Sequence, residues 1–162
     1  MNDLTHHGIK GQKWGVRRYQ NKDGSLTAAG KKKYSKDYKK EAEQAAKEVI
    51  GNKKLSYLNI YNRAVDRMNN GEIDKFNKAQ EKKHGKNFSK RDEYEEDYMK
   101  LFDSVFNKEY NTTLHNLYMS NKHYQKAVKL VEQYELTKYD DFARDTMKEM
   151  SELTDMVKSY KK

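Results

Sequence analysis

Cations interleaved with aromatic rings near the N-terminus are the residues best suited to recognition chemistry. Five basic and two aromatic side chains share one short stretch: Lys10, Lys13, Trp14, Arg17, Arg18, Tyr19 and Lys22. Lysine and arginine neutralise phosphates, and tryptophan and tyrosine rings stack on bases, so this composition is typical of nucleic-acid binding. A basic arm that docks on an acidic protein has the same composition. The sequence leaves both kinds of partner open.

The positive charge of the chain is concentrated in its first quarter. The 162 residues have a formal net charge of +9, and residues 1–40 contain eleven Lys or Arg against three Asp. Residues 41–162 are nearly balanced, with 23 basic and 22 acidic residues. Lys31, Lys32 and Lys33 extend the basic stretch to the start of a predicted helix, where the helix dipole favours acids. The predicted contact residues are Lys10, Lys13, Trp14, Arg17, Arg18, Tyr19, Lys31, Lys32 and Lys33.

No residue pattern predicts catalysis, a metal site or a cofactor. The histidines are adjacent or scattered without carboxylates or cysteines at ligand spacing: His6, His7, His84, His115 and His123. Of these, His115 is predicted to be partly buried and hydrogen-bonded. The acidic cluster at residues 93–97 is explained by stabilisation of a helix N-terminus. We therefore predict a protein that is not an enzyme and binds no cofactor, since a hydrolase would need buried pairs that the sequence does not reveal.

The composition predicts an all-α fold. The chain has no proline and no cysteine, only 35% of its residues are hydrophobic, and thirteen are tyrosines that tolerate partial burial. These values favour elongated amphipathic helices over a turn-rich β fold or a disulfide framework. No apolar stretch approaches the roughly 20 residues of a membrane span, so we expect a soluble protein that does not bind membranes.

Two segments are predicted. Residues 1–30 form a basic arm with a possible short β-hairpin, Trp14–Gln20 against Ser25–Thr27, around an Asp-Gly turn. Residues 31–162 form a bundle of about five or six helices. The predicted helices cover residues 28–50, 55–71, 72–83 and 90–120, and two more begin near residues 121 and 137.

Local signals predict where several helices begin, end or bend. Thr27 is the predicted N-cap of the first helix, and Gly51 and Gly85 are predicted stops. Capping boxes at residues 89–92 and 137–140 are predicted to open the fourth and last helices. The low helix propensity of residues 111–113 predicts a bend or break in the fourth helix. Six residues are predicted to point inward from the last helix: Phe142, Met147, Met150, Leu153, Val157 and Tyr160.

The opening stretch resembles a short segment found in proteins of phages and prophages of Gram-positive bacteria. The first part of the pattern is matched by His6 or His7, Gly8, Gly11, Gln12, Lys13, Trp14, Gly15, Arg17, Arg18 and Gln20. The second part is matched by Asp23, Gly24, Leu26, Thr27, Gly30, Lys33 and Tyr34. The segment occurs on differing bodies, often in proteins of the head or structural region. The resemblance implies a phage or prophage source and a portable docking element.

Two functions are compatible with these features. The first is a non-enzymatic phage accessory protein whose basic arm docks on a virion component or nucleic acid and whose helical body binds a partner. The second is a phage-encoded inhibitor of a host defence system, of the anti-CRISPR type, in which the body binds a nucleoprotein or nuclease. Trp14, Arg17 and Arg18 are the contacts expected to matter most. Either protein would act in the host bacterial cytoplasm, and the first could be packaged in the virion.

Overall fold

The protein is an all-α bundle, as the composition predicts. A computed structural model describes residues 18–86 and 92–161. Its helices are α1 (Ala28–Ile50), α2 (Tyr57–Arg67), α3 (Ile73–His84), α4 (Asp92–Ser120), α5 (Lys122–Tyr134) and α6 (Asp141–Ser159). Short 3₁₀ turns, Lys53–Leu55 and Leu136–Lys138, precede α2 and α6. Helices α2 and α3 continue one another through a distorted turn, so the described part of the chain is a five-helix bundle without β-strands.

The helices bury narrow apolar seams. Helix α1 packs along α5, and α4 packs against both α2 and α6. The core cluster that joins α1, α5 and α6 contains Tyr38, Ala127, Val131, Leu136 and Ala143. A separate cluster, Ala64, Met68 and Val105, joins α2 to α4. None of the helices within residues 18–86 and 92–161 is long and apolar enough to cross a membrane.

Helix ends with strong local signals lie where the sequence predicts them. The Thr27 side chain caps α1, and Gly51 and Gly85 follow α1 and α3 directly. The predicted end of the second helix corresponds to the distorted turn at Met68–Glu72, where Gly71 has a φ of +112°. Glycine adopts that angle without steric cost. The capping box at residues 89–92 falls largely outside the described residues.

Helix α4 runs unbroken from Asp92 to Ser120, so the predicted break at residues 111–113 is wrong. The polar side chains there make contacts to other helices. Thr113 Oγ1 accepts a hydrogen bond of 3.0 Å from Arg63 on α2. Asn111 Nδ2 donates to the Tyr160 hydroxyl over 3.1 Å. These tertiary contacts offset the weak helix propensity of the segment.

The last helix begins differently from the prediction. Thr137 lies inside a 3₁₀ turn, and Asp140 is the N-cap, its carboxylate accepting a hydrogen bond of 3.1 Å from the Ala143 backbone N–H. Thr137 and Asp140 are both possible capping residues and lie three positions apart. An aspartate is at least as good a cap as a threonine. Phe142 is 43% exposed, so its predicted inward position is wrong, although its ring meets Tyr38 edge-on at 5.8 Å.

The capping carboxylate of Asp140 is buried, with 8% of the residue exposed. Burial opposes its charged form, but hydrogen bonds from Ser35 and the Ala143 backbone and the charge of Lys39 outweigh that cost and lower its pKa. We expect Asp140→Ala to reduce the free energy of unfolding at neutral pH by about 0.5–2 kcal/mol in urea unfolding. Asp140→Asn should cost less, because its amide oxygen can still cap the helix.

Because the Asp140 pKa is lower in the folded protein, the carboxylate stabilises the fold above its ordinary value of 3.8. That contribution is lost as the pH falls through the folded-state pKa. The stability difference between the native protein and Asp140→Asn should therefore shrink below about pH 4. A difference that grows on acidification would contradict this assignment. Asp145→Asn, on an exposed residue of the same helix, is the control.

Candidate binding site at the start of helix α1

Residues 18–27 form a compact turn in front of α1. The Asn21 N–H donates to the Ser25 carbonyl over 2.7 Å, and the Asp23 carboxylate accepts from the Ser25 N–H and hydroxyl. Gly24 takes a φ of +87°, as the Asp-Gly signal predicts. Within the described residues the predicted hairpin is present as a single antiparallel bridge between Gln20 and Leu26. Its remaining residues, 14–17, lie outside the described part of the chain.

Backbone contacts fasten this turn to the helix. Thr27 donates from its N–H to the Tyr19 carbonyl over 3.1 Å and from its hydroxyl to the Arg18 carbonyl over 2.9 Å. The same hydroxyl accepts from the Gly30 N–H, which caps α1. A Cβ atom on Gly30 would lie 2.0 Å from the Tyr19 carbonyl oxygen. The close approach of the turn to α1 therefore requires glycine at position 30.

Aromatic and apolar side chains hold the turn against the bundle as well. The Tyr34 ring stacks on Tyr134 of α5 with a centroid distance of 3.7 Å, and Tyr19 meets the Tyr34 ring edge-on at 6.1 Å. Leu26 packs against the core cluster that contains Leu136. Residues 18–27 are thus part of the folded bundle.

The structure places five predicted contact residues at this end of α1: Arg18, Tyr19, Lys31, Lys32 and Lys33. Arg18 lies 5.4 Å and Lys33 4.4 Å from the centroid of the Tyr19 ring, and Lys31 lies 4.9 Å from the Tyr139 ring. Lys32 is exposed one residue further along the helix. The other predicted contacts, Lys10, Lys13, Trp14 and Arg17, lie outside the described residues. We call Arg18, Lys31, Lys32 and Lys33 the basic corner.

The basic corner offers positive charge more than stacking surface. All four cations are exposed, and within residues 18–86 and 92–161 none has a carboxylate within 4 Å. The Tyr19 ring already has two cations of its own chain against it. A phosphate or carboxylate of a partner could bind here, whereas a base would have to displace a cation from Tyr19 before stacking on it.

Further lysines extend the positive surface along the bundle. An open groove between α1 and α5 is lined by Lys40, Lys126 and Lys129, together with Asp37 and Glu41. Glu41 is held by His123, whose Nδ1 lies 2.6 Å from the Glu41 carboxylate. Sequence reasoning missed Lys126 and Lys129, because only the packing of α5 on α1 places them there. We call this feature the α1–α5 groove.

The histidine and acidic residues of the described part of the chain do not form a metal site. Among the described residues no group of three histidine or acidic side chains is arranged to hold a metal ion. His115 is partly buried, as predicted, with its Nδ1 3.5 Å from the Thr154 hydroxyl, and burial lowers its pKa. Glu93, Glu95 and Glu96 are exposed on the first turns of α4.

The comparisons with known proteins do not place the chain in a family. No protein-family model, curated protein or solved structure matches it. The geometry of the basic corner and of the α1–α5 groove is therefore what bears on function.

Proposed function

We propose that this chain is a non-enzymatic phage accessory protein that docks on an anionic partner through its basic arm and basic corner. The observation that carries the proposal is the charge at the start of α1. Arg18, Lys31, Lys32 and Lys33 are exposed without carboxylate partners, next to an arm that contributes Lys10, Lys13 and Arg17. Clustered, unneutralised cations raise the local concentration of polyanions and speed their association.

Nucleic acid is the partner that the charge pattern favours. Lys36 and Lys40 are four residues apart on α1, so about 6 Å separates them along the helix axis. Lys126 and Lys129 add two charges across the α1–α5 groove. An extended row of cations suits a repeating phosphate backbone. The arrangement of Tyr19 supports binding through phosphates without base readout.

The resemblance to the phage segment supports a docking element with a fixed shape. Asp23 and Gly24 make the turn, Leu26 contacts the core, and Thr27 and Gly30 form the junction with α1. Residues of the second half of the pattern therefore form a folded junction with α1. The source that this resemblance implies, a phage or prophage, is part of the proposal.

Replacing Lys31, Lys32 and Lys33 with glutamine should weaken binding to short double-stranded DNA about tenfold or more at low salt. Fluorescence anisotropy between about 50 and 200 mM salt gives the association constant at each salt concentration. The slope of its logarithm against the logarithm of the salt concentration should be shallower by about two to three. The matched control replaces Lys78, Lys82 and Lys83 of α3 with glutamine, which removes the same charge elsewhere. Equal losses from both triple variants, or no DNA binding at low salt, would contradict the proposal. Tighter binding to polyglutamate than to DNA would identify an acidic protein as the partner instead.

An exposed aromatic surface favours the second candidate function, inhibition of a host defence complex. Tyr57 and Leu58 are 70% and 66% exposed on α2, and Met99 is 55% exposed on α4. The Tyr57 ring contacts Tyr61 and Phe106, which gives the surface a defined shape. Exposed tyrosines of this kind are common at protein interfaces.

Affinity purification from infected cells separates the two functions. The full chain is compared with a chain that lacks residues 1–17, because residues 18–30 pack on the bundle. A docking protein should lose its association with phage particles or nucleic acid on deletion. An inhibitor that acts through its body should retain the same host complex, and Tyr57→Ala should then release it.

A further inference from the structure

A second feature, separate from the basic corner, is a cavity of about 260 Å³ between α1, α4, α5 and α6. Small side chains create it: Ala42 and Ala46 on α1 face Ala127 on α5. Tyr118 and Met150 contribute further apolar surface, and the half-exposed Phe142 stands among the lining residues. Ligand sites in helical bundles commonly form in such spaces between facing helices.

The Tyr38 phenol forms part of the cavity wall and is only 1% exposed. The neighbouring Thr146 hydroxyl donates its own hydrogen to the Phe142 carbonyl over 2.8 Å and keeps lone pairs for the Tyr38 hydroxyl. The Tyr38 hydroxyl has almost no accessible surface, so polar contacts to an occupant of the cavity come from other residues.

The cavity also carries negative charge in a basic protein. Glu43 and Glu149 line it, both are exposed, and neither has a cation within 4 Å among the described residues. The charge of Glu149 reaches both Tyr38 and Tyr118, where it helps to raise the pKa of each phenol after the larger effect of burial. Two unpaired carboxylates beside an apolar space favour an occupant that carries a positive charge.

We infer that this cavity binds a small aromatic amine, with its apolar ring among Ala42, Ala46 and Phe142 and its ammonium group at Glu43 and Glu149. The site is independent of the proposed DNA surface, since no residue of the basic corner lines the cavity.

The test uses two probes of the same size and opposite charge, phenethylamine and 3-phenylpropionate, titrated into the full chain at millimolar concentrations and followed by NMR. Phenethylamine should shift the signals of Ala42, Ala46 and Met150, and the anion should bind more weakly. Glu43→Gln combined with Glu149→Gln should weaken phenethylamine binding about threefold to tenfold. The affinities of the cation and the anion should then be similar. Glu95→Gln on α4 is the control, because it removes an exposed carboxylate far along the chain from the cavity.

A further arm tests the position of the ring. Ala46→Leu fills the cavity and should abolish binding while the circular dichroism stays helical. Equal binding of the cation and the anion, unchanged binding to Ala46→Leu, or no shifts at these residues would overturn the inference.

Discussion

Leu136→Ala is expected to lower the free energy of unfolding by about 2–5 kcal/mol. Leu136 lies in the 3₁₀ turn between α5 and α6 and is 0% exposed. It belongs to the cluster that joins α1, α5 and α6, and Leu26 packs against the same cluster. Truncation removes apolar contacts and leaves a space that three helices cannot easily close. Urea unfolding followed by circular dichroism measures the loss.

Leu58→Ala is the matched control, because it makes the same chemical change on α2 where the side chain is 66% exposed. It should alter stability by about 0.5 kcal/mol or less. Similar losses from the two variants would mean that Leu136 is not at the junction of the three helices. The variant Leu136→Met, which keeps most of the volume, should recover most of the lost stability.

Gly30→Ala is expected to destabilise the protein by about 1–3 kcal/mol, although glycine to alanine ordinarily stabilises a helix. The added Cβ would lie 2.0 Å from the Tyr19 carbonyl oxygen and 2.9 Å from its carbonyl carbon. Backbone cannot move aside as a side-chain tip can, so the turn at residues 18–27 must separate from α1. Hydrogen exchange at the Thr27 amide, which donates to Tyr19, should accelerate sharply.

Gly51→Ala provides the comparison. Gly51 has a helical φ of −74°, and its added Cβ would approach only the Lys47 carbonyl oxygen, at 3.0 Å. We expect a change of about 1 kcal/mol or less and unchanged exchange at Thr27. If the Gly30→Ala variant were as stable as the native protein and its Thr27 amide exchanged as slowly, the close approach of Tyr19 to α1 would be refuted.

Elements determined by local chemistry could be predicted from the sequence. Thr27 and Gly51 bound α1 because a hydroxyl cap and a glycine act on their immediate neighbours. The continuity of α4 could not be predicted, since it depends on Arg63, fifty residues away in the chain from Thr113. The cap at Asp140 was missed because Thr137 and Asp140 are both possible capping residues within one turn. Asp140 is the one used, and its carboxylate is buried beside Ser35 and Lys39 on α1.

The candidate site was predictable only in part. Charge counting located Arg18 and Lys31 to Lys33, because charge is visible in composition. It could not show that cations of the same chain lie against the Tyr19 ring, or that α5 contributes Lys126 and Lys129. The cavity between α1, α4, α5 and α6 was equally hidden, because it depends on alanines of α1 and α5 that face one another only in the folded bundle.

The junction at Thr27 and Gly30 has a consequence for how such a segment could be exchanged between proteins. Its turn and helix cap are satisfied by residues 18–30 themselves, and Leu26 and Tyr34 supply its apolar contacts with the bundle. A recombination breakpoint after Tyr34 would therefore transfer a self-capped unit. The recipient would have to continue the helix, supply an apolar surface for Leu26 and offer a ring where Tyr134 lies.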